Sequence, residues 1–548
     1  MNTLPTLLLA RFRRDRVQII VWLALFALLE VVGHFAVTET YGDAAERASV
    51  IRLVIMSPAI LMLRGTPQGT APDAFQFFLL FGFLGLLIGL MMTFLAVRHT
   101  RGDEEAGRAE LVGSTPAGRI APLLATALEG VILSIAVGVI MGGVAWAYGA
   151  DASGAVLYGA AMSAVGIAYL GVGLACAQLM RTSRGANGLA AAIVTAGYAL
   201  RAMGDATGTV QPDGLSMEAG WWSRLSPIGW GQAVAPYTHQ LVWPLLLSVG
   251  LGGVLFAASA WLQSHRDLDS SIVPERAGRL HAPLSLAGPI GLVWRTLRNP
   301  VIGWVVGGAL FGLVLGAVGQ TVVDLVNTPD GEEAGQAISD TLAALAGPNA
   351  EGGLIDLFTT GLFGLVGVLA AVGGVQAVMR ARHDEAGGTA ELVLAAPVSR
   401  FRWFSAYLLI GAVSVAAVLA FAVLGAFVGL IGSPDAGERM SIVAEAGLAQ
   451  LPACLVIVAV AALVFAVLPR ASIALGWAVL LVAIVLGQFG GLFGLPEWLR
   501  DVSPFSHTPI VTAEAIDWTA AWVVTGIAVV AAAGAAALVR RRDLALGG

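Results

Sequence analysis

The sequence contains no lysine; all thirty of its basic residues are arginine. A P-loop needs a lysine to reach the β- and γ-phosphates of a nucleotide. ATP hydrolysis at a standard Walker site is therefore excluded within this chain. Cysteine is nearly absent too. Cys176 lies late in one apolar segment and Cys454 early in another. Neither belongs to a ligand spacing or a disulfide framework, and both read as small buried residues. Charged residues make up 12% of the chain, about half the share of a soluble domain. There is no H-E-x-x-H, no G-x-S-x-G at a plausible membrane boundary and no metal-ligand cluster. No catalytic residue, no metal and no nucleic-acid partner is expected, so a membrane-embedded enzyme is the weakest reading.

What fills the space is apolar sequence, 57% of 548 residues. About 20 apolar residues cross the hydrocarbon core as a helix, and twelve segments qualify. They fall at about 17–37, 75–97, 119–148, 153–179, 185–203 and 241–263, then at about 300–320, 354–379, 403–432, 442–468, 471–494 and 518–540. The first lacks a small-x-small cleavage site after it and reads as a retained anchor. The expected fold is an all-α polytopic membrane protein. Segments expected inside hold 23 of the 30 arginines. The positive-inside rule then places both termini and both copies of a repeated charged stretch in the cytoplasm. Acidic loops such as 330–340 lie opposite.

One charged stretch occurs twice between these runs. Residues 103–119 read DEEAGRAELVGSTPAGR and residues 384–400 read DEAGGTAELVLAAPVSR. At a separation of 281, nine of seventeen positions agree, among them Asp103/Asp384, Glu104/Glu385, Gly107/Gly388, Glu110/Glu391, Leu111/Leu392, Pro116/Pro397 and Arg119/Arg400. Arg13, Arg16, Ile20 and Trp22 match Arg295, Arg298, Ile302 and Trp304 at 282. Trp221, Ser226 and Pro227 match Trp498, Ser503 and Pro504 at 277. Such offsets imply two six-span halves in parallel orientation: 1–263, a cytoplasmic linker with a second interfacial helix at 264–299, and 300–548.

Each half opens on a basic stretch with apolar residues at helical spacing, Leu4, Leu7, Leu8 and Phe12 in the first. It suits either a helix lying in the interface or simple positive-inside flanking. Segments 204–240 and 495–517 are Trp- and Pro-rich. They read as short re-entrant or interfacial helices on the outer side, or as extended loops. The repeated stretch itself reads as a two- to three-turn helix parallel to the membrane. Asp103 and Asp384 would be its N-caps, and Glu104, Glu105 and Glu385 would face its positive end. Glu104 is spaced to pair with Arg108. The Gly387–Gly388 pair should make the second copy the less regular helix. Inside the spans, Glu30 and His34 share a helical face and can pair, and Glu129 lies in the third span. Intramembrane charges default to functional candidates, against plain intraprotein hydrogen bonding. Phe78 and Phe81, in a phenylalanine-rich second span with Phe358 and Phe363 as counterparts, suit a hydrophobic substrate path or lipid-facing packing. Position 312, where Glu30 would recur, is glycine.

The basic entry, the six-span half and the acidic E-x-x-G-x-x-E-L-type helix between spans two and three resemble the ABC-2 type exporter permeases. The fusion of two such halves resembles the actinobacterial antibiotic and multidrug efflux permeases of the tetronasin-transport type. The likeness rests on DEEAGRAELV, DEAGGTAELV and the Trp…Ser-Pro segments, and covers essentially the whole chain. It implies that Asp103, Glu104, Glu105, Glu110 and Leu111, and Asp384, Glu385, Glu391 and Leu392, form coupling helices that insert into a separate ATPase subunit. That partner would bind ATP and Mg and be present in two copies per permease chain. Hydrophobic small molecules would be the cargo, exported across the bilayer. The alternatives are a lipid exporter of the same type and a proton-driven 6+6 secondary transporter. The acidic RGDEEAGRAELV argues against the secondary transporter, where a basic loop would be expected.

Overall fold

The computed structural model describes residues 3–56, 58–115, 118–266, 288–326, 354–431, 436–488, 496–509 and 517–545, with single positions 272, 283, 433 and 511. Pro116, the loop at 330–340, most of the linker at 264–290, the side chain of Phe358 and parts of 489–517 lie outside them. The chain divides into two compact units, Met1–Ala277 and Gly278–Gly548. It is an all-α polytopic membrane protein. Among the described residues, eleven helices are long and apolar enough to cross a membrane.

In the first unit, α1 runs from Thr3 to Thr40, 38 residues or about 57 Å. That exceeds the roughly 30 Å hydrocarbon core. The basic stretch is therefore the first turns of one unbroken helix and not a separate interfacial helix. Two helices that sequence reading missed follow it, α2 (Ala44–Met56) and α3 (Pro58–Arg64). Next come α4 (Pro72–Arg98), α5 (Arg101–Glu105), α6 (Arg108–Gly113), α7 (Ala121–Ala147) and α8 (Ala152–Leu179). Asp151 caps α8 by accepting from the Gly154 amide at 2.9 Å. Helix α9 (Ser183–Ala206), the expected fifth span, is not among the eleven. It carries Arg201 and Asp205, a fully buried ion pair at 3.0 Å. Asp205 also accepts from Gln232 at 2.9 Å, and Arg201 donates to the Met62 carbonyl at 2.8 Å. The charges that lower its apolar content are thus neutralised inside the bundle.

A two-residue hairpin, β1 (Thr209–Val210) and β2 (Met217–Glu218), follows α9. In its turn Asp213 accepts from the Leu215 and Ser216 amides, which hold its carboxyl below the usual range. Then come a 3-10 turn at Trp221–Leu225, α10 (Pro227–Ala233) and α11 (Trp243–His265). Ser226 caps α10 through the Ile228 amide at 3.2 Å. Most of α10 is buried, so the Ser-Pro segment packs into the bundle while Trp221 stays 57% exposed.

The second unit repeats this order. It holds α12 (Pro289–Val326), α13 (Leu354–Ala386), α14 (Thr389–Leu394), α15 (Arg400–Gly429), α16 (Ala436–Ala449), α17 (Leu451–Val467) and α18 (Ser472–Ala483), which ends in a π-turn at Ile484–Gln488. Short α19 (Glu497–Arg500), a 3-10 turn at Pro504–His507 and α20 (Thr519–Arg541) complete it. Ser503 accepts from the Phe505 amide at 3.2 Å, reproducing the Ser226 cap. The stretch expected as a second interfacial helix is the unbroken start of α12. At Gly312 a Cβ would lie 1.9 Å from the Ala422 carbonyl oxygen, so α12 and α15 meet where only glycine fits.

Candidate coupling element

Both copies of the repeated stretch bend at the same residue. Gly107 separates α5 from α6 with φ +69°, and Gly388 separates α13 from α14 with φ +76°. A Cβ at either would meet nothing within 4 Å, so conformation alone requires glycine there. The amide of Gly107 donates to the Glu104 carbonyl at 2.9 Å, and that of Gly388 to the Glu385 carbonyl at 3.2 Å. The element is therefore a bent pair of helical segments in each half, not one continuous short helix. Asp103 and Asp384 do not cap it. Thr100 precedes α5, and Asp384 lies in the last turn of α13. The second copy is no less regular than the first, because the glycine that bends it is the one both copies share.

The carboxylates near the bend are taken up by partners within the chain. Asp103 pairs with Arg14 at 3.0 Å and with Arg108 at 2.8 Å. Glu104 pairs with Arg101 and with Arg266, each at 2.6 Å, and not with Arg108 as its spacing suggested. Glu105 accepts from the Ser183 amide at 2.8 Å and from its hydroxyl. Asp384 accepts from the Tyr407 hydroxyl at 2.7 Å and pairs with Arg380 at 3.0 Å. Glu385, fully buried, takes both guanidinium nitrogens of Arg542 at 2.6 and 2.9 Å and the Ala545 amide at 2.9 Å. Arg266 and Arg542 each immediately follow the last span of their half. Glu104 and Glu385 thus tie the element to the end of that span in the same way twice. Beyond the bend the pattern reverses. Leu111 is 72% exposed and Leu392 77% exposed, and Glu110 and Glu391 beside them are exposed as well.

The candidates within the spans separate into two places. Glu30 accepts from Gln76 and from the Tyr158 hydroxyl, each at 2.8 Å. His34 stacks on Tyr148 at 4.5 Å between ring centres. Glu30 and His34 share a small cavity with Asp73, Phe77 and Tyr237, but Glu30 takes other partners than His34. Phe78 and Phe81 are buried against Phe75 and Phe77 and face neither lipid nor that cavity. The lipid-facing members of the run are Phe83 and Phe94. Phe363 is buried in the second core. Glu129 lies elsewhere, fully buried, with Oε2 3.6 Å from Nε2 of His99. His99 Nε2 also meets Asp15 Oδ2 at 2.7 Å. These three residues bring ligand-type atoms within 4.8 Å of one another. Arg98 already pairs with Asp15 at 2.8 Å, and Arg11 donates to the His99 carbonyl at 3.3 Å.

The description "Multidrug efflux system permease Rv1217c, C-terminal domain" matches residues 286–540 as a family model. The multidrug efflux system permease protein Rv1217c of Mycobacterium tuberculosis (strain ATCC 25618 / H37Rv) is 32% identical over 538 residues, covering 97% of this chain and 93% of the relative. The chain belongs to the Rv1217c family of multidrug efflux permeases. Within this permease the family domain begins just before α12 and ends inside α20, so it covers most of the second unit, including Glu385, Gly388 and Leu392. The alignment with the relative takes in the first half too. The functional-site residues that sequence reading missed in the repeated element are Arg266 and Arg542. Their separation of 276 differs from the 281 of the motif, and each sits just beyond an apolar run where attention falls on flanking charge.

Proposed function

We propose that this permease exports hydrophobic small molecules under the power of a separate ATPase subunit. That partner binds ATP and Mg and docks twice, on Glu110 and Leu111 of the first half and on Glu391 and Leu392 of the second. The observation that carries the reading is the duplicated arrangement itself. In each half an inward carboxylate fixes the element, a left-handed glycine bends it, and a glutamate–leucine pair three and four residues later faces outward. Asp103, Glu104, Glu105, Asp384 and Glu385 act as positioning residues, since their oxygens are taken up by the bundle. The absence of lysine supports a motor on another polypeptide, and the name of the relative supports drugs as cargo. Both termini and both docking sites lie on the cytoplasmic side in this scheme. The cavity at Glu30 and His34 has room for about one water, whereas drug-sized sites hold about 300–1,000 Å³. A path past Glu30 therefore requires α1, α4 and α8 to part during transport.

The test is the double variant Glu110→Lys, Glu391→Lys, reconstituted with the ATPase that co-purifies with the chain. Drug-stimulated ATP turnover should fall at least about tenfold, a coupling loss of about 1.4 kcal/mol or more, while membrane insertion is unchanged. Wild-type stimulation in that variant would sink the docking assignment.

A further inference from the structure

A cavity of about 300 Å³ lies beneath α6, between the coupling element and the ends of α1, α7 and α11. Its wall carries five arginines, Arg11, Arg14, Arg108, Arg119 and Arg266, against two carboxylates. Groups behind the wall do not redress this. Adding Arg98 and Arg101 with Asp15 and Glu129 gives seven arginines to four carboxylates, an excess of three positive charges.

The distribution of partners matters as much as the excess. Asp103 is divided between Arg14 and Arg108, and Glu104 between Arg101 and Arg266. Arg11, only 8% exposed, donates to neutral oxygens, the Thr126 hydroxyl and the His99 carbonyl. The Arg119 side chain has no hydrogen-bond or ion-pair partner among the described residues. Leu7, Val112 and Leu123 complete the wall with apolar surface. Guanidinium groups match phosphate oxygens in pairs. Basic pockets between spanning helices at the cytoplasmic face suit anionic headgroups.

The fold does not need the charges at positions 11, 14 and 108. Arg11, Arg14 and Arg108 align with Val293, Thr296 and Thr389 in the second half. Of the five, Arg119 and Arg266 have arginine counterparts, and Arg400 is turned to the Arg542 carbonyl.

We propose that the cavity beneath α6 binds a phosphate-bearing anion, supplied by an acidic phospholipid headgroup or by free phosphate. Occupancy would brace the first coupling element against α1 and α7, and only in that half. It goes beyond the docking role of Glu110 and Leu111 and does not depend on it.

The experiment follows thermal unfolding of the full chain in detergent. Phosphatidylglycerol, phosphatidylcholine and inorganic phosphate are titrated separately. A saturable rise with phosphatidylglycerol and none with phosphatidylcholine is expected, because a ligand of the folded state raises its stability. A rise with phosphatidylglycerol alone assigns the lipid source, and an equal rise with inorganic phosphate assigns the free anion. The double variant Arg14→Gln, Arg108→Gln should weaken the midpoint concentration about tenfold. Arg119→Gln should weaken it about threefold, and it serves if the double variant fails to fold, since Arg119 is exposed. Equal response to all three additives, or a wild-type midpoint in Arg119→Gln and in the double variant where it folds, overturns the proposal.

Discussion

Arg11, Asp15 and Glu129 of the first half align with Val293, Leu297 and Ile410 of the second, at the offsets of 282 and 281 that bring the repeat into register. The second set lies in the hydrophobic core of its half, each residue no more than 5% exposed. The first set is buried too, yet it forms an ionisable cluster around His99. One architecture therefore tolerates either filling, and the apolar one avoids the desolvation that buried charge entails. Residues common to both halves carry what both must do: Glu104 and Glu385 clamp, Gly107 and Gly388 bend, Leu111 and Leu392 face out. Residues found in one half mark what that half alone does.

This comparison can be broken at three points. The largest effect is expected at the clamp. Glu104→Ala and Glu385→Ala each remove the carboxylate that clamps largely buried arginines, and breaking a buried pair costs about 3–5 kcal/mol. Chemical unfolding of the two purified variants measures it. A loss under about 1 kcal/mol in one half alone would show that the clamps are not equivalent. Next is Gly312→Ala, at the position aligned with Glu30. The added methyl must push α12 away from Ala422, an overpacking cost of about 1–3 kcal/mol. Wild-type stability there would mean that the second half does not rely on close helix contact where the first uses a polar one. The smallest concerns the bend. Gly107→Ala and Gly388→Ala should each cost about 1 kcal/mol, from the left-handed backbone alone. Equal costs in the two halves sharpen the match, and a marked difference breaks it.

Much of this was legible in the residues. The apolar runs gave the helices because an apolar segment of about 20 residues satisfies its own backbone in lipid as a helix, whereas barrel strands are about half as long. The Ser-Pro pairs were matched between the halves, but their caps at Ser226 and Ser503 were not read from them. Other features were missed for definite reasons. Helices α2 and α3 escaped because Glu46, Arg47 and Arg52 break the apolar run that signals a helix here. The bend at Gly388 was treated as a weak place in a helix, although a glycine matched in both copies points to positive φ. The partners of Glu104 lie far along the chain, Arg266 being 162 residues away. Helical spacing offered Arg108 instead, and tertiary geometry chose otherwise. His99 drew no notice because a single histidine at the end of an apolar run has no sequence partner.

The outward leucines have a consequence for the permease before it meets a partner. Burying a leucine side chain is worth about 1.5–3 kcal/mol, so Leu111 and Leu392 together leave about 3–6 kcal/mol of solvation free energy unclaimed in the lone chain. An orphaned subunit is thereby marked at two points of its surface. A cell that degrades what exposes such knobs would keep the permease in step with the supply of the ATPase proposed as its partner.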